Sequence, residues 1–225
     1  MRNPESSFIR KMYQGGIMPI FFHPDVDVCL RLLEVSYEAG IRVIEMVNRG
    51  KEAPEIFPIL KKRAEEMPGL FMGAGTIYHP HEAEAFLDMG AEFIVSPVMN
   101  PKLGEYCQKT GTHLVPGCAT LTEIFFAQEL GCELAKVYPA NILTPAFVPA
   151  VHAVLPKMEI IPTGGVEPTK ESMHAWLDVG VSCLGMGSQL MSKKLISSED
   201  FPGLKKKIEQ ALAIYYAYRT SQAHD

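Results

Sequence analysis

No stretch of this 225-residue chain approaches the run of about 18 apolar residues that crosses a bilayer. The opening Met1-Arg2-Asn3-Pro4-Glu5 lacks the apolar core of a secretory leader, so the expected location is the cytoplasm. Basic residues are outnumbered, 21 Lys and Arg against 26 Asp and Glu, for a net charge of −5. The basic run Lys205-Lys206-Lys207 falls in a helical pattern and reads as a solvated face. A nucleic-acid footprint needs clustered Lys and Arg. Neither nucleic acid nor membrane is therefore expected as a partner. Cys29, Cys107, Cys118, Cys132 and Cys183 are scattered without paired spacing, which points to reduced, buried thiols rather than disulfides. No Gly-x-Gly-x-x-Gly loop follows the first apolar run, so a dinucleotide site is not expected. No linker, low-complexity stretch or composition shift divides the chain, and residues 1–225 are expected to form a single domain.

What is present is an alternation, repeated eight times. Short apolar runs at 17–22, 41–47, 70–74, 93–95, 113–115, 134–138, 159–162 and 181–186 lack strict polar alternation, as parallel strands covered on both faces do. Helical patterns lie between them. They cover 26–38, a stretch from 52 to the Met67-Pro68-Gly69 stop, one from Pro80 to Gly90, and one following Pro101. Others run from Thr120 to Gly131, with Glu123 placed for a capping box, and over 145–155, 169–179 and 204–216. Gly40, Gly69, Gly90, Gly111, Gly131 and Gly180 precede six of the runs, where helices end in left-handed turns. Eight such units with short loops predict an α/β chain closed into a TIM (β/α)8 barrel.

In that fold the active site lies at the C-terminal ends of the strands. Lys136 interrupts the apolar run Leu134-Ala135-Lys136-Val137-Tyr138-Pro139. A lysine at a strand edge snorkels to water, but a barrel strand offers little water to reach. Desolvation favours a neutral amine, the form that attacks a carbonyl to give an iminium. Glu45 stands near the end of the second run. It reads either as an ion-pair partner or as a carboxyl that moves protons. Arg49 follows on the loop, with a planar fork suited to a carboxylate. Gly73-Ala74-Gly75-Thr76 ends the third run and offers a hydroxyl beside glycines that let a ligand approach. Pro162-Thr163-Gly164-Gly165-Val166 and Gly185-Met186-Gly187-Ser188 end the seventh and eighth runs, the positions where barrels commonly hold phosphate or another anion. His79-Pro80-His81-Glu82 opens a helix without the i, i+4 histidine pair of a zinc site, so no metal is expected. His23 follows the first run and could face the barrel mouth, though a satisfied loop histidine is the more ordinary reading. Tyr215, Tyr216 and Tyr218 read as packing or interface residues of the last helix, and the polar segment 219–225 carries no readable role.

Taken in order, Gly16-Ile17-Met18-Pro19-Ile20, Gly40-Ile41-Arg42-Val43-Ile44-Glu45, Gly73-Ala74-Gly75-Thr76, Ser96-Pro97, Pro116-Gly117, Lys136-Val137-Tyr138-Pro139-Ala140 and Pro162-Thr163-Gly164-Gly165 fall at successive strand ends. The set resembles the family of 2-keto-3-deoxy-6-phosphogluconate (KDPG) aldolases, which also cleave 4-hydroxy-2-oxoglutarate (KHG). The resemblance implies a class I aldolase on a TIM barrel, a homotrimer without metal or cofactor, acting on a small keto-acid phosphate. It makes Lys136 the Schiff-base lysine and Glu45 the general acid/base. It places Arg49 and Thr76 on the substrate carboxylate, Pro97 and Tyr138 in the walls, and Thr163 against the substrate. It gives the distal phosphate to Gly164, Gly165, Gly187 and Ser188. Two departures stand out. The family usually carries Thr-Leu-Arg-Thr where this chain has Val47-Asn48-Arg49-Gly50, and a Phe where this chain has Tyr138. The competing readings are the same chemistry on the galactonate epimer or on an unphosphorylated keto acid, a barrel isomerase or decarboxylase without an imine, and a non-catalytic metabolite binder.

Overall fold

A computed structural model describes residues 6–222, so the opening pentapeptide and the end of segment 219–225 lie outside the described residues. In chain order the elements are α1 (Ser7–Gly15), β1 (Ile17–Phe21), α2 (Val26–Glu38), β2 (Val43–Val47), α3 (Ala53–Ala64), β3 (Phe71–Gly75), α4 (Pro80–Asp88), β4 (Ile94–Val95) and α5 (Pro101–Thr110). They continue as β5 (Leu114–Val115), β6 (Gly117–Cys118), α6 (Leu121–Glu129), β7 (Leu134–Val137), α7 (Ala140–Leu143), α8 (Phe147–Val154), β8 (Glu159–Pro162), α9 (Lys170–Leu177), β9 (Leu184–Met186), α10 (Lys193–Ser197) and α11 (Phe201–Ser221).

The strands are all parallel and fall into two arcs, β5-β4-β3-β2-β1-β9 and β6-β7-β8. The arcs are one barrel. β5 and β6 are a single barrel position interrupted at Pro116, which has no N–H to give and whose carbonyl accepts the Lys136 N–H at 2.9 Å. The other seam carries the bridge between Thr163 and Gly185 and a hydrogen bond from the Ser182 N–H to the Ile160 carbonyl at 3.0 Å. All eight expected runs hold strands. The fifth goes further than expected, because the proline displaces the ladder without ending it. The helix starts follow local chemistry. Thr120 accepts the Glu123 N–H while Glu123 accepts the Thr120 N–H, closing the expected box at α6. Gly111 ends α5 at φ 70, where a Cβ would be strained.

Two features were not anticipated. α1 is capped by Ser6, whose hydroxyl accepts the Ile9 N–H at 3.1 Å. Its Phe8, Ile9 and Met12 join the barrel interior formed by Val43, Phe71, Phe93, Leu134 and Ile161, which closes the N-terminal mouth. α11 extends beyond the expected 204–216 at both ends. Arg219, in its last turn, donates to the Val181 and Ser182 carbonyls at 2.8 and 3.1 Å. Tyr215 and Tyr218 are buried against the barrel, while Tyr216 is exposed. Lys205 pairs with Glu38 at 3.1 Å on the solvated side of the helix. No described helix is long and apolar enough to cross a membrane. All five cysteines are free and buried, and burial pushes thiols such as Cys107 up to about 12.

Candidate active site

Strand alternation aims the chemistry. Val43 and Val47 belong to the barrel interior, so Glu45 between them also points inward; Leu134 does the same for Lys136. Lys136 Nζ lies 3.7 Å from Glu45 Oε1, an ion-pair spacing longer than a hydrogen bond. Lys136 is 5% exposed and Glu45 not at all. Neither carboxylate oxygen of Glu45 has a hydrogen-bond partner among the described residues. Burial therefore holds the Glu45 carboxyl above the usual carboxylate range, while the charges of Lys136 and then Arg49 pull it back. A carboxyl held above its ordinary range is suited to giving a proton as well as taking one.

Gly75 makes room for this group: a Cβ there would overlap Glu45 Oε1 and Cδ. Gly75→Ala should push the carboxyl off its station in a wall that cannot yield. Misplacement by about 1 Å can cost roughly 100-fold in rate. The expected result is a kcat fall of that order, with Gly73→Ala as a comparison that presses on the Phe93 ring instead. Steady-state kinetics on both variants check it; an unchanged kcat for Gly75→Ala removes Glu45 from the chemistry.

Above the pair opens a cavity of about 690 Å³ at the C-terminal strand ends. Arg49, Lys136, Tyr138, Thr163, Gly164, Gly165, Gly187 and Ser188 all line it. The Tyr138 ring centroid is 5.5 Å from Lys136 Nζ. Thr163 is buried with its hydroxyl unpartnered among the described residues, and Gly185 gives that hydroxyl its space. Arg49 stands at the rim, exposed, with Nε donating to Thr76 Oγ1 at 3.3 Å. Thr76 holds φ 59, a left-handed backbone that costs a β-branched residue about 1–3 kcal/mol. The strain places its hydroxyl where the Arg49 side chain meets it. Gly164 and Gly165 turn at φ 88 and φ 92, and a Cβ on Gly165 would stand 2.5 Å from Asn141 Cβ.

Of the expected set, Glu45, Thr76 and Pro97 are not among the residues lining the cavity. Glu45 reaches it through Lys136 and Thr76 through Arg49, while the Pro97 carbonyl packs where a Cβ on Gly117 would fall. His79 and Glu82 serve the start of α4, with Glu82 accepting the Tyr78 and His79 N–H groups at 2.8 Å each. Among the described residues no group of three His, Cys, Asp or Glu is placed to hold a metal. Phe22, Gln189, Met191, Lys193, Ile196 and Ser197 line the cavity without having been foreseen. They come from the loops after β1 and β9 and from α10, whose inward faces no local periodicity marks.

A parallel barrel with a buried amine against a buried carboxyl, beneath a cavity rimmed by an arginine, defines an enzyme class equipped for carbonyl chemistry. The particular family is fixed by comparison: the model of the KDPG and KHG aldolases matches residues 8–207, and the chain belongs to that family of lyases. The chain is 33% identical over 194 residues to the 2-dehydro-3-deoxy-6-phosphogalactonate aldolase of Escherichia coli K12, covering 86% of this chain and 89% of the relative. It is 29% identical over 203 residues to the 2-dehydro-3-deoxy-phosphogluconate aldolase of Pseudoalteromonas atlantica, covering 89% and 91%. Its fold overlays a crystal structure of the KDPG aldolase of Legionella pneumophila, with pyruvate captured as a covalent carbinolamine. That match has a TM-score of 0.83 and 23% identity, and covers 92% of this chain and 98% of the other.

Proposed function

We infer that the chain cleaves KDPG to pyruvate and glyceraldehyde 3-phosphate, and KHG to pyruvate and glyoxylate, through a Schiff base on Lys136. The observation that carries this reading is the buried Lys136–Glu45 pair, 3.7 Å apart at the floor of the cavity. The Lys136 amine adds to the C2 ketone to give a carbinolamine. Glu45 protonates the departing hydroxyl, water leaves, and the iminium forms. The Glu45 carboxylate then takes the C4 hydroxyl proton as the C3–C4 bond breaks, whose electrons flow into the iminium to give an enamine and release the aldehyde. Protonation at C3 and addition of water return pyruvate and the free amine. The iminium lowers the barrier because it accepts the bond electrons more readily than a neutral ketone does. Arg49 and Thr76 hold the keto-acid carboxylate, Tyr138 and Thr163 flank the reacting carbons, and Gly164, Gly165, Gly187 and Ser188 take the phosphate. Residues 1–225 act as one catalytic domain in the cytoplasm, with the lysine itself supplying the electron sink.

Borohydride added with pyruvate should fix a three-carbon adduct to the peptide containing Lys136, read by mass. An unlabelled Lys136 overturns the covalent route. The galactonate epimer is the second reading, favoured by the 33% identity to the Escherichia coli enzyme; the kcat/KM ratio for the two epimers decides between them.

The assembly is a homotrimer in this reading. The support is an apolar rim contributed by adjacent barrel units: Val98 after β4, Phe125 and Phe126 on α6, and Ile142 on α7 are all exposed, Ile142 at 71%. Apolar surface of this kind marks a protein contact. Light scattering should give three copies for the native chain and one for Phe126→Asp. A native monomer removes the assembly from the proposal.

A further inference from the structure

The cavity carries more positive charge than the keto-acid end needs. Arg49 stands at one side and Lys136 at the floor, and Lys193 enters from the first turn of α10. Glu45 stands against Lys136 and offsets it, but among the described residues no Asp or Glu lines the walls around Arg49 and Lys193, in a chain whose net charge is −5. Lys193 is exposed and has no ion-pair partner among the described residues. A cationic hollow in an acidic protein concentrates anions, and cations at separate stations suit a ligand charged at both ends.

His23 faces the same space. Its ring is held in place, because Nδ1 accepts the Asp25 N–H at 3.1 Å and its carbonyl accepts the Cys29 thiol at 3.1 Å. With Nδ1 used as an acceptor, the neutral ring carries its hydrogen on Nε2 and is a donor there. β1 runs beside β9 with Pro19 opposite Met186. A Cβ on Gly187 would lie 3.9 Å from the Ile20 carbonyl. That pairing sets the loop carrying His23 next to the Gly187-Ser188 turn, and α10 follows that turn in the chain.

We propose that His23 and Lys193 are specificity-determining residues that donate from side chains to a phosphate held over the glycine turns, so that the cavity selects phosphate-ended keto acids over carboxylate-ended ones. The inference rests on the aldolase reading and deepens it. Charge-assisted hydrogen bonds of this kind are worth about 1.5–3 kcal/mol, roughly tenfold or more in binding.

The test compares KDPG with KHG, which lacks the phosphate, on Lys193→Met, His23→Ala and His23→Gln. Lys193→Met should raise KM for KDPG about tenfold or more with kcat kept, while the KHG constants move less than about twofold. His23→Ala should act in the same direction, and His23→Gln, which keeps a donor near Nε2, should restore part of the loss. Lys194→Met, a neighbouring exposed lysine outside the lining, should leave the KDPG-to-KHG ratio unchanged. Equal losses on both substrates, or none, overturn the assignment. A titration of the intact protein with inorganic phosphate, followed by 31P line broadening, gives a readout independent of turnover. Phosphate binding that is lost in Lys193→Met supports the site even if no keto acid is cleaved. Binding untouched by Lys193→Met and His23→Ala sinks it even if the aldolase reading stands.

Discussion

Lys136→Met leaves a folded barrel with no measurable cleavage and no borohydride-stable pyruvate adduct. Methionine is unbranched and close in length, so it fills the slot of a side chain that is only 6% exposed and strains nothing around it. What is lost is the lone pair that bonds to C2. Among the described residues lining the cavity the other lysine is Lys193, which is exposed on α10 and has no ion-pair partner among the described residues to relay the proton. Removing the amine leaves the buried Glu45 carboxyl without its ion-pair partner, a loss of about 3–5 kcal/mol if the carboxyl is ionised, so the melting temperature should fall least at low pH, where burial lets Glu45 keep its proton. Single-turnover assays and mass analysis check both halves. Retained cleavage at near-native rate removes the imine from the mechanism, and a collapsed fold would show that the amine is structural.

Glu45→Gln should lower kcat by about 10²–10⁴-fold, the usual worth of a positioned acid/base, and it should also alter the pH dependence of stability. The Glu45 carboxyl titrates above its ordinary 4.5 in the folded barrel, chiefly through burial. Below 4.5 the folded and unfolded chains both keep the proton, and this group makes no difference to stability. As the pH rises through the folded value, the native state must hold a charge in a desolvated place that the unfolded chain holds in water, so stability falls. Glutamine does not titrate. The melting temperature of Glu45→Gln minus that of the native protein should therefore grow between pH 4 and pH 8. A calorimetric series measures the trend, and a flat or shrinking difference contradicts the upward shift.

How much of this could be read from the residues alone depended on whether local pattern or distant closure decided the outcome. The strands were legible because a parallel barrel strand is covered on both faces, and Val43–Val47 and Leu134–Val137 are apolar apart from one charged residue each. The same contrast exposed the site, since a lone Glu or Lys in such a strand has no solvent to reach. α1 escaped notice because nine residues with three inward side chains look like a leader to β1. Only the barrel mouth supplies the surface that Phe8 and Met12 cover. β6 was hidden by Pro116, which reads as a stop in sequence and acts as a kink in space. Phe22 and Lys193 entered the cavity through the pairing of the first and last strands, a contact between residues over 160 positions apart that no local spacing encodes. Gly50 belongs to the same class. A Cβ there would come within 2.6 Å of the Phe22 ring, so a departure from the family run after Glu45 is matched by an aromatic side chain on the loop after β1.

Lys136 rides on the three-strand arc and Glu45 on the six-strand arc, so the proposed reacting pair straddles a divided wall. The gap between amine and carboxyl is thus governed by two seams, the kink at Pro116 and the stretch where the Ser182 N–H donates to the Ile160 carbonyl. Neither Pro116 nor Ser182 lines the cavity, yet substitutions there set how closely the proposed nucleophile and proton carrier approach. An engineer seeking a faster or slower variant could leave every contact residue intact and retune the enzyme from its stitching.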